Sequence, residues 1–436
     1  MTKLFDTFKR YMRIAAGATL LSSCTIATSE DSRFEGAGRT SSEARETAGI
    51  AAAIQNQIET GQIPGAVVMI ARHGEIVDLV SRGYADLENQ VPIQQDTIFR
   101  FYSMSKPITC AAVMTLYDDG LIGLDDPIKD YLPELSKMQV RTPDGLVPAK
   151  SDITIRNLMT HTSGFAYAVL PNPAQQDYID ANVFAIKNRL TESLEQHVKR
   201  LAQMPLVAEP GTKWNYGESM GVLGRLVEVV SGKTYGNYLQ DRIFDPLNMI
   251  DTGFYVPASK SDRLAQLYHM SNEGVLSNAN DDIQYGGSYL EKPQLEYGGA
   301  GLVGTPRDYM SFANMLLNKG SSNGRRILSQ QAVEMMTTNQ LDASFGDSPL
   351  EAAGRGPGTG FGFCGLVTVA LPEGSDPGSV GEYGWSGWAS TNFWMDPAND
   401  LIGLVFTQVI PDDIGSIMLS HNVREVIYSS DSDQRE

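Results

Sequence analysis

Two serines in this sequence stand in spacings that can produce a nucleophile. The first heads Ser103-Met104-Ser105-Lys106. Positions i and i+3 of a helix share one face a turn apart, so a serine hydroxyl and a lysine amine can meet there. A serine hydroxyl is a weak nucleophile until a neighbouring base takes its proton, and a lysine amine serves as that base when burial or nearby charge lowers its pKa. Pro107 fits a first helical turn better than a helix interior. Ser103 is therefore expected near a helix N-terminus, where free amides and the helix dipole favour a developing oxyanion. Against this, the residue before a proline is steered away from helical backbone, and that residue is Lys106. With only two fixed positions, the spacing alone carries little weight.

The second serine lies in Gly217-Glu218-Ser219-Met220-Gly221, a GxSxG sequence. A nucleophile elbow of that kind needs a strand before it, a helix after it, and an acid and a histidine downstream. Val222 to Val230 is helically periodic, but Glu209-Pro210-Gly211-Thr212 is a turn and leaves only Lys213 to Tyr216 for a strand. No HGGG-type oxyanion segment precedes it, the βα alternation of a parallel sheet is missing, and His269 and His421 are the only histidines downstream. A glycine-flanked helix start accounts for Ser219 better than catalysis does.

The elements that must position these residues are legible in outline. Ala48 to Thr60 has helical spacing, and Ala66 to Arg72, His73-Gly74 and Glu75 to Val80 form a strand, a turn and a strand. Helical signals dominate from Ser103 to about Leu317. Strand signals return at Phe363 to Ala370, Trp388 to Met395 and Leu401 to Val409, followed by an amphipathic helix, Ile417 to Ile427. Strands at both ends with helices between them imply one sheet built from distant segments, an α+β arrangement. The Gly-rich stretches Gly354 to Gly362 and Glu373 to Gly384 are expected to form rims of a cleft.

Composition narrows the partners. The chain of 436 residues is 42% hydrophobic and 20% charged, which suits a globular enzyme and excludes a coiled coil, a collagen or a disordered tail. A formal charge of −18 repels nucleic-acid phosphate and anionic lipid, so neither is an expected partner. Three cysteines make no disulfide scaffold and no zinc pattern, and no metal or cofactor is expected.

Residues 1–23 read as a signal peptide: Lys3, Lys9, Arg10 and Arg13 against Asp6, then a short apolar run from Ile14 to Leu21. Leu21-Ser22-Ser23-Cys24 resembles a bacterial lipobox, which makes Cys24 the candidate lipidated residue and the lipid the only membrane contact. Removal of a leader carrying +3 takes the side-chain total from −18 to −21. Residues 24–45 read as a flexible tether. The expected location is the cell envelope, periplasmic or outer-membrane, with a cytoplasmic protein as the alternative.

The residues around the first serine change its weight. Asp96 to Lys106 resembles the active-site helix entry of the serine β-lactamase/penicillin-binding-protein superfamily, class C type. Ile153 to Gly164 resembles that group's ITIRxLLTHTSG stretch, and Pro210-Gly211-Thr212-Lys213-Trp214-Asn215-Tyr216 its PGxxWxY run. Gly299 to Thr305 resembles its GAGGLxST turn, and Trp385-Ser386-Gly387 falls where its last motif belongs. The resemblance runs from about residue 47 to 428. It implies a central antiparallel sheet flanked by helices, with an inserted mostly helical domain. The expected division is 46–110 and 297–430 for the α/β part, 111–296 for the helical part and 431–436 for a disordered tail.

The resemblance also implies site roles. Ser103 attacks, Lys106 or Tyr216 takes its proton, and the backbone amides of Ser103 and Trp388 hold the oxyanion. Where the family's Tyr-x-Asn stands, this chain has Tyr216-Gly217-Glu218; where its Lys-Thr-Gly stands, this chain has Trp385-Ser386-Gly387. A cation is lost and an anion gained, so Trp385, Ser386, Gly387 and Glu218 are the candidate substrate contacts for neutral esters. The Trp-x-Gly version resembles the family VIII carboxylesterases. The implied reaction is hydrolysis of small, short- to medium-chain carboxylic esters. A β-lactamase or D-alanyl-D-alanine carboxypeptidase is the nearest alternative, and a non-catalytic envelope lipoprotein the next. His161 is expected to brace a loop, and Ser105 either bonds Lys106 or faces solvent. An oxidising compartment would permit a Cys110–Cys364 disulfide, although nothing in the sequence places the two thiols within bonding distance.

Overall fold

The computed structural model describes residues 41–346, 350, 356–411 and 414–433. The expected signal peptide, the lipidation candidate Cys24 and residues 24–40 of the tether lie outside the described residues. The main helices are α1 (Ser41–Glu59), α2 (Ser105–Asp118), α3 (Leu194–Leu201), α4 (Ser219–Ser231), α5 (Pro306–Leu317) and α6 (Ile414–Asp433). The strands of the main sheet are β1 (Gly65–Arg72), β2 (Glu75–Asp86), β3 (Val91–Pro92), β4 (Thr359–Phe361), β5 (Leu366–Thr368), β6 (Tyr383–Gly387), β7 (Thr391–Asp396) and β8 (Leu401–Phe406). Among the described residues, no helix is long and apolar enough to cross a membrane.

The strands form one eight-stranded antiparallel sheet in the order β4-β5-β6-β7-β8-β1-β2-β3. Its N- and C-terminal parts join where β1 pairs with β8, Val67 opposite Phe406 and Ile70 opposite Gly403. Successive side chains of a strand point to opposite faces, and both faces are buried here. Val67, Met69 and Ala71 join the large core with Ile402, Leu404 and Phe406. Ala66, Val68 and Ile70 join Leu401 and Val405 in a second core, closed by Ile50 and Ile54 of α1 and Leu419, Val423 and Ile427 of α6. The large core continues into α2 and α5 through Ile108, Ala111, Tyr309 and Phe312. Burying a side chain of this size contributes roughly 1.5–3 kcal/mol, so the two faces together anchor the sheet that carries β6.

Several boundaries differ from the sequence reading. The helix expected from Ala48 begins at Ser41, so residues 41–45 of the expected tether are helical. Acidic Glu43 in the first turn favours that start, and Glu46 pairs with Arg72 of β1 at 3.4 Å. At the other end, α6 reaches Asp433, so residues 431–433 of the expected disordered tail are helical. Of the strand expected over Phe363 to Ala370 only Leu366–Thr368 is β5; it forms a hairpin with β4, which lies inside the expected rim Gly354 to Gly362. The hairpin turn is closed by Gly362 N–H donating to Gly365 O at 2.9 Å, with Cys364 at φ 63°. The strand expected from Trp388 starts at Thr391, because Trp388-Ala389-Ser390 is the turn between β6 and β7, with Ser390 at φ 66°. Strand β6 itself begins inside the expected rim Glu373 to Gly384.

Candidate active site

Ser103 sits in the 3-10 turn Tyr102–Met104 that leads into α2. Tyr102 has φ 43°, a left-handed conformation that a bulky residue adopts only under constraint. The constraint is visible: its hydroxyl donates to Tyr285 O at 2.8 Å, and its ring meets those of Trp388 and Tyr289 edge-on. Pro107 occupies the first turn of α2, where its missing N–H costs no helical bond. Ser105 is fully buried and its Oγ accepts from Leu302 N–H at 3.2 Å, so it ties α2 to the Gly-rich segment after Tyr297.

One turn on, Lys106 is 1% exposed. Its Nζ donates to Ser103 Oγ at 2.9 Å and to Gly299 O at 2.7 Å. It also lies 4.7 Å from the ring centre of Tyr216 and 5.7 Å from that of Tyr167. Burial lowers the amine's pKa to about 7, with the negative charge of Glu218 working in the opposite direction. A substantial neutral fraction at neutral pH is what a general base requires.

Tyr216 comes from the loop before α4. Asn215 N–H donates to His161 O at 2.8 Å and its side-chain amide to Phe165 O at 2.7 Å. Gly217 lies so close that a Cβ there would stand 2.1 Å from Phe165 O. Held in this way, Tyr216 donates its hydroxyl to Ser103 Oγ at 2.8 Å. Its ring lies parallel to Trp214 at 6.0 Å and packs on His161 at 4.8 Å. His161 is fully buried with φ 55°. Burial, and then the charge of Lys106, hold its pKa well below the ordinary histidine value, which leaves a neutral ring bracing the loop.

The end of β6 meets the serine turn. Trp385 is nearly buried, its ring 5.6 Å from that of Tyr216 and 5.5 Å from that of Phe361. Ser386 is half-buried. Gly387 lies against Phe101, whose carbonyl also accepts from Thr391 Oγ1 at 3.3 Å. The turn carrying Trp388 is thereby pinned beside the turn carrying Ser103, and the Trp388 ring contacts Tyr102 and Tyr285. Tyr285 also lines a cleft of about 510 Å³ with His269, Ser277, Asn278, Asp281 and Asp282.

Glu218 is not placed as a substrate contact. It is 2% exposed, and its Oε2 accepts from Tyr297 O–H at 2.7 Å and lies 3.4 Å from His197 Nε2. Burial opposes a charge on His197, but Glu192 and Glu218 together push its pKa up to about 9. The carboxylate therefore faces an imidazolium, and the anion expected from the sequence is balanced inside the protein. Ser219 is also fully buried and shares a hydrogen bond with Ser163 Oγ at 2.9 Å. The flanking glycines of its GxSxG sequence serve packing, Gly217 against Phe165 and Gly221 against the His197 ring. Cys110 and Cys364 form a disulfide with a Cα–Cα distance of 6.1 Å, which ties α2 to the turn between β4 and β5.

Four neighbours of the site went unread in the sequence: Tyr167, His197, Tyr285 and Tyr297. Only Tyr297 had a local signal, since it immediately precedes the glycine run Gly298-Gly299. The whole arrangement, a serine hydroxyl bonded to a desolvated amine and to a phenol, is equipped for nucleophilic acyl transfer.

Comparison with known proteins agrees. A family model described as Beta-lactamase matches residues 50–414. Protein Rv1367c of Mycobacterium tuberculosis is 34% identical over 373 residues, which cover 83% of this chain and 90% of that protein. Esterase EstB of Burkholderia gladioli is 28% identical over 389 residues, covering 84% of this chain and 91% of that one. Among solved structures, EstCE1, described as a hydrolase with promiscuous acyltransferase activity, matches with a TM-score of 0.76 at 28% identity, over 89% of this chain and 100% of that one. With a match of that extent over the fold that brings Ser103, Lys106 and Tyr216 together, the chain belongs to the beta-lactamase family and is a serine hydrolase of that family.

Proposed function

We propose that the protein is a carboxylesterase that hydrolyses neutral, short- to medium-chain esters through an acyl-Ser103 intermediate. The observation that carries this reading is the position of Ser103 Oγ, 2.9 Å from Lys106 Nζ and 2.8 Å from Tyr216 OH. Neutral Lys106 takes the hydroxyl proton as Ser103 Oγ bonds to the ester carbon. The carbonyl oxygen becomes an oxyanion held by the backbone amides of Ser103 and Trp388. Collapse breaks the bond to the alcohol oxygen, which receives a proton from Tyr216, and the Tyr216 oxygen is reprotonated from Lys106. Water then cleaves the acyl-serine with the same groups. An acceptor alcohol in place of water makes the reaction an acyl transfer, in keeping with the described activity of EstCE1.

Selectivity for neutral esters rests on Trp385, an apolar ring where the family's lysine would meet a substrate carboxylate. Its Trp-x-Gly setting resembles the family VIII carboxylesterases. The test compares p-nitrophenyl butyrate with nitrocefin. kcat/KM is expected to be higher for the ester by about two orders of magnitude or more, the scale of leaving a carboxylate without its ionic partner. Equal turnover of nitrocefin overturns the neutral-ester reading in favour of a β-lactamase.

The same proposal places the enzyme in the cell envelope, anchored by a lipid on Cys24. The Cys110–Cys364 disulfide supports an oxidising compartment. Metabolic labelling with palmitate is expected on the wild type and lost in Cys24→Ser; a wild type without label removes the anchor.

A further inference from the structure

Around Glu218 runs a line of ionic groups, buried except at its outer end, that the acyl-transfer steps do not use. Arg200 donates to Glu192 Oε2 at 2.7 Å, and Glu192 Oε1 lies 3.0 Å from His197 Nδ1. On its other side His197 Nε2 lies 3.4 Å from Glu218 Oε2. Neutral imidazole has one N–H, whereas a ring with a carboxylate oxygen at each nitrogen donates on both sides only as the imidazolium. With the His197 pKa raised by these two partners, the charges alternate from half-exposed Arg200 through Glu192 and His197 to Glu218. Tyr297 donates to the same Glu218 oxygen, and the hydroxyls of Tyr167 and Tyr297 are 3.1 Å apart. The one O–H of Tyr297 is committed to Glu218, so Tyr297 accepts at its oxygen and Tyr167 donates to it.

We propose that Glu218 is a positioning residue: clamped by His197 and Tyr297, it sets the charge state of Lys106 without touching substrate. The groups facing Lys106 are few. Tyr167 and Tyr216 lie over it, the Gly299 carbonyl accepts from it, and His161 senses its charge. Around Glu218 stand Tyr297, His197, Tyr167 and Tyr178. Burial raises the pKa of Tyr167, Tyr178 and Tyr297 and lowers that of His161, so these four stay neutral across the working pH range. Glu218 is then the charged group that acts on the amine, attracting its proton, and the imidazolium of His197 beside it offsets that charge. A carboxylate without the imidazolium would hold Lys106 protonated, and no carboxylate would leave the amine a weaker base.

This inference rests on Lys106 acting as the base, so its test separates the two. The pH dependence of kcat/KM for p-nitrophenyl butyrate is measured for the wild type, Glu218→Gln, His197→Gln and Ser103→Ala, together with the rate of Ser103 labelling by a fluorophosphonate. The acid limb reports the base of the free enzyme. Glu218→Gln keeps an acceptor for Tyr297 and removes the anion, so the limb is expected to move to lower pH by about one unit. His197→Gln removes the cation, so the limb is expected to move to higher pH by a similar amount. Fluorophosphonate labelling shifts in parallel, because it needs the activated serine and no leaving alcohol. A purely structural brace lowers the plateau in both variants and moves neither limb. Unmoved limbs, or limbs that move in the same direction, overturn the proposal. If Glu218→Gln does not fold, as judged by circular dichroism, the direction of the His197→Gln shift decides alone. Activity surviving in Ser103→Ala overturns the acyl-serine reading itself, whatever the limbs do.

Discussion

Ser103→Ala is expected to lower kcat/KM for p-nitrophenyl butyrate by about four orders of magnitude or more, the cost of removing a nucleophile whose partners act as a unit. Ser219→Ala is expected to leave it within a few-fold. The two serines separate again in stability. Ser103 is half-buried, and its hydroxyl takes hydrogen bonds from Lys106 and Tyr216; when it is lost, Lys106 keeps its bond to Gly299 O. Active-site groups of this kind are commonly retained at the expense of stability, so the melting temperature of Ser103→Ala should be close to that of the wild type or above it. Ser219 is wholly buried and bonded to Ser163, so Ser219→Ala forfeits a buried hydrogen bond worth about 1 kcal/mol and should melt lower. Mass spectrometry after fluorophosphonate labelling should find the adduct on Ser103. The reverse pattern, activity lost with Ser219 and kept without Ser103, would return the GxSxG elbow to consideration and remove Lys106 and Tyr216 from the mechanism.

Why the first serine was legible and its surroundings were not follows from how each is built. Ser103 and Lys106 are joined by local geometry, and Gly217 after Tyr216 marks a close approach to Phe165 O that a side chain would block. The strands β1 and β8 were found because both faces are buried, so their residues form unbroken apolar runs. Strand β4 was missed because it lies in the glycine-rich stretch Gly354 to Gly362, and the expected strand began too early because the turn residues Phe363 and Cys364 are themselves apolar; φ 63° at Cys364 has no local signal. Strand β6 was hidden in a glycine-rich stretch for a related reason. Gly384 and Gly387 are where other backbone comes within contact distance, so they read as loop residues. Glu218 was read from its distance to Tyr216 in the chain, which placed it near the substrate. What turned it away is His197, on α3 and far off in sequence, whose charge exists only because Glu192 and Glu218 meet at its two nitrogens. A sequence reports the residue but not the partner that neutralises it.

Gly387→Ala is expected to reduce kcat by about two orders of magnitude, the typical loss when one oxyanion donor is displaced. An added methyl at Gly387 would stand 2.2 Å from Phe101 O and 2.3 Å from Thr391 Oγ1, so backbone must shift. Phe101 has little room to yield. Its N–H donates to Leu302 O at 2.9 Å, and its ring is packed edge-on against Tyr309 at 5.2 Å and Phe406 at 5.9 Å. The end of β6 therefore gives way, and with it the Trp388 turn, which hangs from Gly387 through Ser390 N–H at 2.9 Å. The proposed oxyanion site, two amides on two separately anchored turns, would lose its spacing when one turn moves, even with Ser103, Lys106 and Tyr216 intact. KM should change less than kcat, because the contact is made fully only when the oxygen is charged. Overpacking also costs about 1–3 kcal/mol, so destabilisation alone must be excluded as the cause. Gly384→Ala supplies that control: from the same strand β6, its methyl crowds Phe393 O of the neighbouring β7 at 2.5 Å, three residues before Gly387. It should lower the melting temperature by a comparable amount and spare most of kcat. Equal kcat losses in the two variants would mean that strand stability, and not the placement of the Trp388 amide, limits the rate.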